Sequence, residues 1–295
     1  MLDHLVTEKR NEKSMQLDEY NTHDIIDLMN KQDASIIQAV HNELPAIERV
    51  INECIQVMKQ DGRIIYVGAG TSGRIGMLDA VECPPTFGMD PNRVVGILAG
   101  GNGMFAKEEA EDSYEEGQKA MQELHLTTND IVIGLAASGR TPFVIAACDY
   151  ANFIKAHTAC IVCNKHSELS KHVTLPIEVD NGPEIITGST RLKAGTSQKM
   201  ICNMITTATM VRLGKVYENL MVDVDVSNKK LYQRWLSIVQ TITKKSIQEV
   251  EEIYEPSHHQ AKVAILMLQK QWTYEKSMQV LKTCDGFLKQ ALAVE

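Results

Sequence analysis

Arg63-Ile-Ile-Tyr-Val-Gly-Ala-Gly-Thr-Ser-Gly-Arg74 is the stretch from which the fold can be read. Arg63 to Val67 is a short apolar run that predicts a buried strand. Gly68 to Arg74 is a glycine-rich turn, and Ile75 to Ala80 continue as helix. The same order returns further along. Asp130-Ile-Val-Ile-Gly-Leu135 reads as a strand, Ala136-Ala-Ser-Gly-Arg140 as a turn, and Thr141 to Ala156 as a helix. Both turns carry Ser-Gly-Arg in the same slot. Around them, Arg93–Leu98, Thr158–Cys163 and Val173–Val179 predict further strands, and Lys107–Leu124 and Arg191–Leu213 predict helices. Strands alternating with helices indicate an α/β fold, a doubly wound parallel sheet with helices on both faces. In such a sheet the two turns share one edge, where strand C-termini and helix N-termini converge on a ligand.

Outside this core the pattern changes. The first sixty residues read as an arm followed by helices. Pro45 suits a first helical turn, and Ile47, Val50, Ile51, Cys54, Val57 and Met58 repeat at helical spacing until Asp61-Gly62. From about Asn228 the chain reads as a small helical bundle. Ser246-Ile-Gln-Glu249 and Ser257-His-His-Gln260 have the pattern of capping boxes, and Gly286 reads as a helix stop. The His258-His259 pair is expected near a helix start, exposed.

Composition narrows the function classes. The chain has 295 residues, 44% hydrophobic and 23% charged, as in an ordinary globular protein. No run approaches the roughly 18–20 apolar residues of a membrane span. The polar N-terminus lacks a signal-peptide core, so the expected location is the cytoplasm. The net charge of −8, with no basic block, argues against nucleic-acid binding. Seven scattered cysteines do not suggest a disulfide framework. Cys160-Ile-Val-Cys163 is formally C-x-x-C, but it lies in an apolar run without a second pair to complete a zinc site.

Gly68-Ala-Gly-Thr-Ser-Gly73 matches G-x-G-x-x-G, yet a dinucleotide site needs an acidic residue after the second strand, and Leu98-Ala-Gly-Gly101 has none. Hydroxyls beside helix-start N–H groups suit a compact phosphate monoester instead. The candidate ligands are Thr71, Ser72 and Gly73 in the first turn, and Ser138, Gly139, Arg140 and Thr141 in the second. A third segment, Thr187 to Lys199, adds Ser189, Thr190, Arg191 and Lys193. Ser189 or Thr190 could equally be the N-cap of the helix that follows, and plain helix capping also accounts for the hydroxyls of the turns. Arg191 and Lys193 in a first turn oppose the helix dipole, a cost tolerated where an anion binds. Two carboxylates stand out less. Glu82 precedes Cys83-Pro-Pro, whose prolines are expected to force extended backbone and fix its direction. Glu111 shares a helical stripe with Glu108 and Glu115, the pattern of a solvated face.

Several segments together resemble one family. They are Tyr66–Arg74, Glu82-Cys-Pro-Pro-Thr-Phe-Gly88, Ala110-Glu-Asp-Ser113, Ala136–Pro142, Thr187–Lys199, Asn219-Leu-Met-Val-Asp223 and Thr7-Glu-Lys-Arg-Asn11. The chain resembles the N-acetylmuramic acid 6-phosphate etherases of the sugar-isomerase (SIS) superfamily over nearly its whole length. The resemblance implies an N-terminal arm over 1–53, a SIS domain, an α/β/α sandwich, over about 54–217, and a helical bundle over 218–295. It also implies a homodimer with its site near the interface, a sugar-phosphate substrate, and no metal or redox cofactor. The implied reaction cleaves the D-lactyl ether of N-acetylmuramate 6-phosphate, with Glu82 as proton donor and Glu111 as base. Two other readings stay open: an aldose–ketose isomerase of the same superfamily, and a non-catalytic sugar-phosphate sensor.

Overall fold

A computed structural model describes residues 5–101 and 108–295. Its centre is a five-stranded, all-parallel sheet: β1 (Ile64–Gly68), β2 (Val94–Leu98), β3 (Ile131–Ala136), β4 (His157–Val162) and β5 (Leu175–Glu178), in the order β2-β1-β3-β4-β5. Every residue of β1 and β3 is buried, as the continuous apolar runs require of strands covered on both faces. Register aligns the C-terminal ends: Gly68 sits between Leu98 and Leu135, and Ala136 beside Val162. The chain leaves β1 to build β2 on one side, then returns to build β3 on the other. The sheet's switch point therefore lies between β1 and β3, at the two glycine-rich turns.

The helices are α1 (Thr22–Asn42), α2 (Leu44–Lys59), α3 (Gly70–Phe87), α4 (Tyr114–Glu123), α5 (Pro142–Phe153), α6 (Lys193–Arg212), α7 (Lys229–Thr243), α8 (Ile247–Glu252), α9 (Ala261–Lys270), α10 (Tyr274–Thr283) and α11 (Leu288–Ala293). None of the described helices is long and apolar enough to cross a membrane. Alternation along β1 assigns the layers. Ile65 and Val67 pack with Met121 of α4 and Phe143, Val144 and Cys148 of α5. Tyr66 points the other way, against Gly76 of α3, and its hydroxyl donates to Cys202 O of α6 at 3.4 Å. The doubly wound reading stands.

The chain divides into two compact units. One holds the described residues up to Val81 and those of Asn92–Thr206; the other holds Glu82–Pro91 and Thr207–Glu295. The second unit has its own core around the fully buried Trp235. Asn228 caps α7 by accepting from Leu231 N, and Ser246–Glu249 is the capping box its sequence promised.

Four local expectations are corrected. The helix after the first turn runs from Gly70 to Phe87 with Pro84 and Pro85 inside it, so the backbone there is helical and not extended, although neither proline has an N–H to give the carbonyl four residues back. Gly88, at φ +56°, then ends it, donating to Pro84 O at 2.8 Å. Lys107–Leu124 is not one helix. Glu108–Asp112 is a 3₁₀ turn, and Ser113 starts α4 by accepting from Glu116 N, so Glu111 does not share a helical stripe with Glu115; Lys107 lies outside the described residues. The long helix begins at Lys193, not Arg191. Ser257–Gln260 is a turn with His258 and His259 at positive φ, and α9 starts at Ala261 without a side-chain cap.

Candidate active site at the switch point

The first turn is a close approach of strand and helix. A Cβ on Gly68 would lie 2.7 Å from Gly73 N, and one on Gly73 would lie 2.6 Å from Gly68 O. Glycine at both positions lets the start of α3 settle directly on the end of β1. Thr71 and Ser72 are half-buried in the first turn of α3. Ser72 Oγ donates to Gln198 Oε1 of α6 at 2.8 Å, which commits its hydrogen. Gln198 is itself fully buried, and its amide donates to Ile161 O of β4.

The second turn enters α5 through Thr141 and Pro142. Thr141 is the N-cap, but its hydroxyl does not turn back to the helix. It donates instead to Glu111 Oε1 at 3.2 Å. The first-turn N–H groups of α5 are thus left without a side-chain cap, and an exposed carboxylate is pinned beside them. Gly139, at φ +70°, lies so close to Ser167 that a Cβ would sit 2.4 Å from it. Ser138 is half-buried next to it.

The third segment joins the other two. Gly195 lies near the methyl of Thr71 and the side chain of Ile75. Ala194 packs with Ala137 of the second turn and Cys163 beyond β4. Ser189 and Thr190 are half-buried in the turn before α6, and Arg191 is exposed there. Neither Ser189 nor Thr190 caps α6. Glu184 does: its carboxylate accepts from Lys193 N at 3.0 Å and Ala194 N at 2.9 Å. Burial raises the Glu184 carboxyl's affinity for a proton more than these bonds and the Lys193 charge lower it. Lys193 is 3% exposed, and its Nζ donates to Asn181 O at 2.7 Å. Burial draws its pKa down. Its ammonium is spent inside the protein and not presented to the turns.

Thr71, Ser72, Gly73, Ser138, Gly139, Thr141, Ser189 and Thr190 therefore belong to three converging segments, and Glu111 joins them from the 3₁₀ turn through Thr141. Arg140 is exposed and lines a separate cavity of about 520 Å³ with Asn164, Lys165, His166 and Lys171. Glu82 is exposed on the last turns of α3 and belongs to the second unit. Burial pushes the thiols of Cys160 and Cys163 up to about 12, which leaves them protonated and inert at neutral pH.

Three supporting residues escaped the sequence reading. Gln198 and Glu184 are described above. Asn164 follows β4, donates to Ala137 O and Thr7 Oγ1 at 3.1 Å each, and accepts from Val6 N at 2.7 Å. It ties the N-terminal arm to the second turn. The arm continues along the third segment: Thr7 O accepts from Gly188 N, Asn11 Nδ2 donates to Pro183 O, and Ser14 Oγ donates to Ile185 O. A polar residue directly after a buried strand, on the same sheet edge as the turns, was the available signal for Asn164.

Comparison with known proteins bears on the fold and the family. Residues 46–152 match the family described as glucokinase regulatory protein N-terminal SIS domain, 109–208 the SIS domain, and 218–264 the C-terminal lid domain of glucokinase regulatory protein. Among solved structures, a phosphosugar isomerase involved in capsule formation from Bacteroides fragilis is similar with a TM-score of 0.53 and 20% identity, covering 68% of this chain and 95% of that one. A protein from E. coli CFT073, solved as a ligand complex, has a TM-score of 0.51 and 16% identity over 68% of this chain and 97% of its own. These likenesses concern the fold. Much nearer are two curated proteins named N-acetylmuramic acid 6-phosphate etherase. That of Bacillus cereus strain AH820 is 50% identical and that of Bacillus anthracis strain CDC 684 is 49% identical, each over 294 residues, 99% of this chain and 100% of the relative. The chain belongs to the N-acetylmuramic acid 6-phosphate etherase family.

Proposed function

We propose that this chain is a carbon–oxygen lyase that cleaves the D-lactyl ether of N-acetylmuramate 6-phosphate, giving N-acetylglucosamine 6-phosphate and D-lactate. The observation that carries the reading is the likeness to the named etherases, near half identity from end to end. The site supports it. Two helix starts at the switch point, with the hydroxyls of Thr71, Ser138, Thr141, Ser189 and Thr190 around them, suit a phosphate ester, because N–H groups and helix dipoles favour an anion locally whatever the net charge. Glu111, held by Thr141, stands beside that position as a base.

The lactyl oxygen is a poor leaving group, and opening the sugar ring gives a route to its elimination. The C1 aldehyde then acidifies the C2 proton. Glu111 removes it, and the lactyl oxygen leaves C3 as Glu82 supplies a proton. Water adds across the resulting double bond: its oxygen bonds to C3 and a proton returns to C2. One carboxyl must begin ionised and the other protonated, so the two need different surroundings. An isomerase would share the C2 step and expel nothing; it would need no acid at C3.

Homodimerisation, a cytoplasmic location and a role in reuse of cell-wall amino sugars are part of the same proposal. The direct test is release of D-lactate from N-acetylmuramate 6-phosphate by purified protein. Conversion of the substrate to a ketose without lactate would favour the isomerase instead, and binding without turnover would favour the sensor.

A further inference from the structure

Two sequence features remain without a role in this chemistry: Asn219-Leu-Met-Val-Asp223, and the His258-His259 turn. Val222 and Asp223 of the first, and both histidines of the second, line one cavity of about 1000 Å³ within the second unit. Asp223 Oδ2 there accepts from Lys262 Nζ at 2.7 Å and forms an ion pair with Lys215 Nζ at 3.1 Å. The Lys262 side chain is 8% exposed, Lys215 29% and Asp223 19%. Burial draws the Lys262 pKa down, against the pull of Asp223. One carboxylate therefore offsets two lysines in a partly desolvated place, where surplus charge is costly unless something compensates it.

The rest of the lining adds to the imbalance. Lys282 and Asp225 also face the cavity, leaving three lysines against two aspartates. The start of α9 opens onto it as well. Its N-cap, Gln260, makes no side-chain cap and sends its amide to Tyr274 Oη at 3.1 Å. The first turn of a ten-residue helix, at the positive end of its dipole, thus lines the same space: Gln260, Ala261 and Lys262 all border the cavity. The cavity is cationic in a chain whose net charge is −8.

We propose that this cavity is an anion-binding site that takes a small phosphorylated metabolite. The phosphate sits against Lys215 and the α9 start, and the Lys262–Asp223 pair forms the floor. The volume leaves room for the organic part of such a ligand.

The test is calorimetric titration of full-length protein with inorganic phosphate at low ionic strength, in two backgrounds. Ser138→Ala with Thr141→Ala weakens the sheet-edge site, so saturable binding that survives there reports the cavity. Lys215→Met removes the surplus charge yet keeps the Lys262–Asp223 pair, so the fold is retained; a melting curve without phosphate checks this. The expected result is loss of affinity by about tenfold or more in Lys215→Met and loss of the site in Lys215→Glu, in both backgrounds. Phosphate binding that is unchanged by Lys215→Glu, or absent from the Ser138→Ala/Thr141→Ala protein, overturns the proposal. Since the readout is binding, failure of the etherase reading leaves this result intact, and the reverse also holds.

Discussion

At the N-terminal ends of β1 and β3, Asp130 accepts five hydrogen bonds: three from Arg63, through its N, Nε and Nη2, and two from Thr127, through its N and Oγ1. At the C-terminal ends of the same strands the chain places glycines, hydroxyls and a helix start without a side-chain cap. One end is closed, with its charges paired and its carboxylate buried. The other holds polar groups in fixed positions and leaves several of them unspent. The contrast separates residues that hold the sheet together from residues that act on something outside it, though both groups sit on the same two strands. Open parallel sheets place ligands at the carboxyl ends for this reason: helix N-termini and strand ends meet there, and the opposite end is free to be tied down.

The comparison predicts that mutations at the two ends fail in different ways. The largest expected effect is at the open end. Glu111→Gln keeps an oxygen for Thr141 to bond but cannot take a proton, so turnover should fall by about 10²–10⁴-fold with no change in melting temperature. Equal losses of activity and stability would erase the distinction. At the closed end, Asp130→Ala leaves the Arg63 guanidinium without its buried partner. It should cost about 3–5 kcal/mol in chemical denaturation while the surviving folded protein keeps its turnover rate.

A smaller effect sharpens the picture within the site. Ser138→Ala should raise KM about ten- to a hundredfold with kcat unchanged, the loss of one hydrogen bond to a charged group. Thr141→Ala should lower kcat as well, because Thr141 also holds Glu111. Identical kinetic signatures for the two variants would show that the Thr141–Glu111 bond has no part in turnover. The smallest effect is on pH dependence. Burial works against ionisation of Asp130, but the hydrogen bonds from Arg63 and Thr127 outweigh it and hold its carboxyl below the ordinary value. Its contribution is therefore complete above the unfolded pKa of about 3.9 and is lost as pH falls through the folded value. The stability gap between wild type and Asp130→Asn should be constant near neutrality and close below that range in acid melts.

The strands and both turns were legible because they depend on local patterns: apolar runs too short for helices, each followed by glycine. What was not legible depends on partners far along the chain. Nothing near Lys193 indicates that its helix is capped by Glu184, nine residues back across a loop whose course is set by Thr7, Asn11 and Ser14. Lys193 looked like an anion ligand for the same reason, since its burial against Asn181 is a tertiary fact. Pro84-Pro85 misled in the opposite direction. Each removes a helix hydrogen bond and crowds the carbonyl four residues back, yet α3 carries both and ends only two residues later, at Phe87. The 3₁₀ turn carrying Glu111 did have a local sign, since Ser113-Tyr-Glu-Glu116 is a helix-start pattern that divides Lys107–Leu124.

The central claim is that the open end of the sheet performs an elimination followed by addition of water. Running the reaction in deuterated, oxygen-18-labelled water reads both steps in one product. The expected product is N-acetylglucosamine 6-phosphate with deuterium at C2 and oxygen-18 at C3, and C2 exchange should be abolished in Glu111→Gln. Exchange surviving in Glu111→Gln but lost in Glu82→Gln would reverse the two roles and keep the elimination. A product with neither label would mean that the bond to the lactyl carbon is cut directly, and would contradict the mechanism proposed for both glutamates.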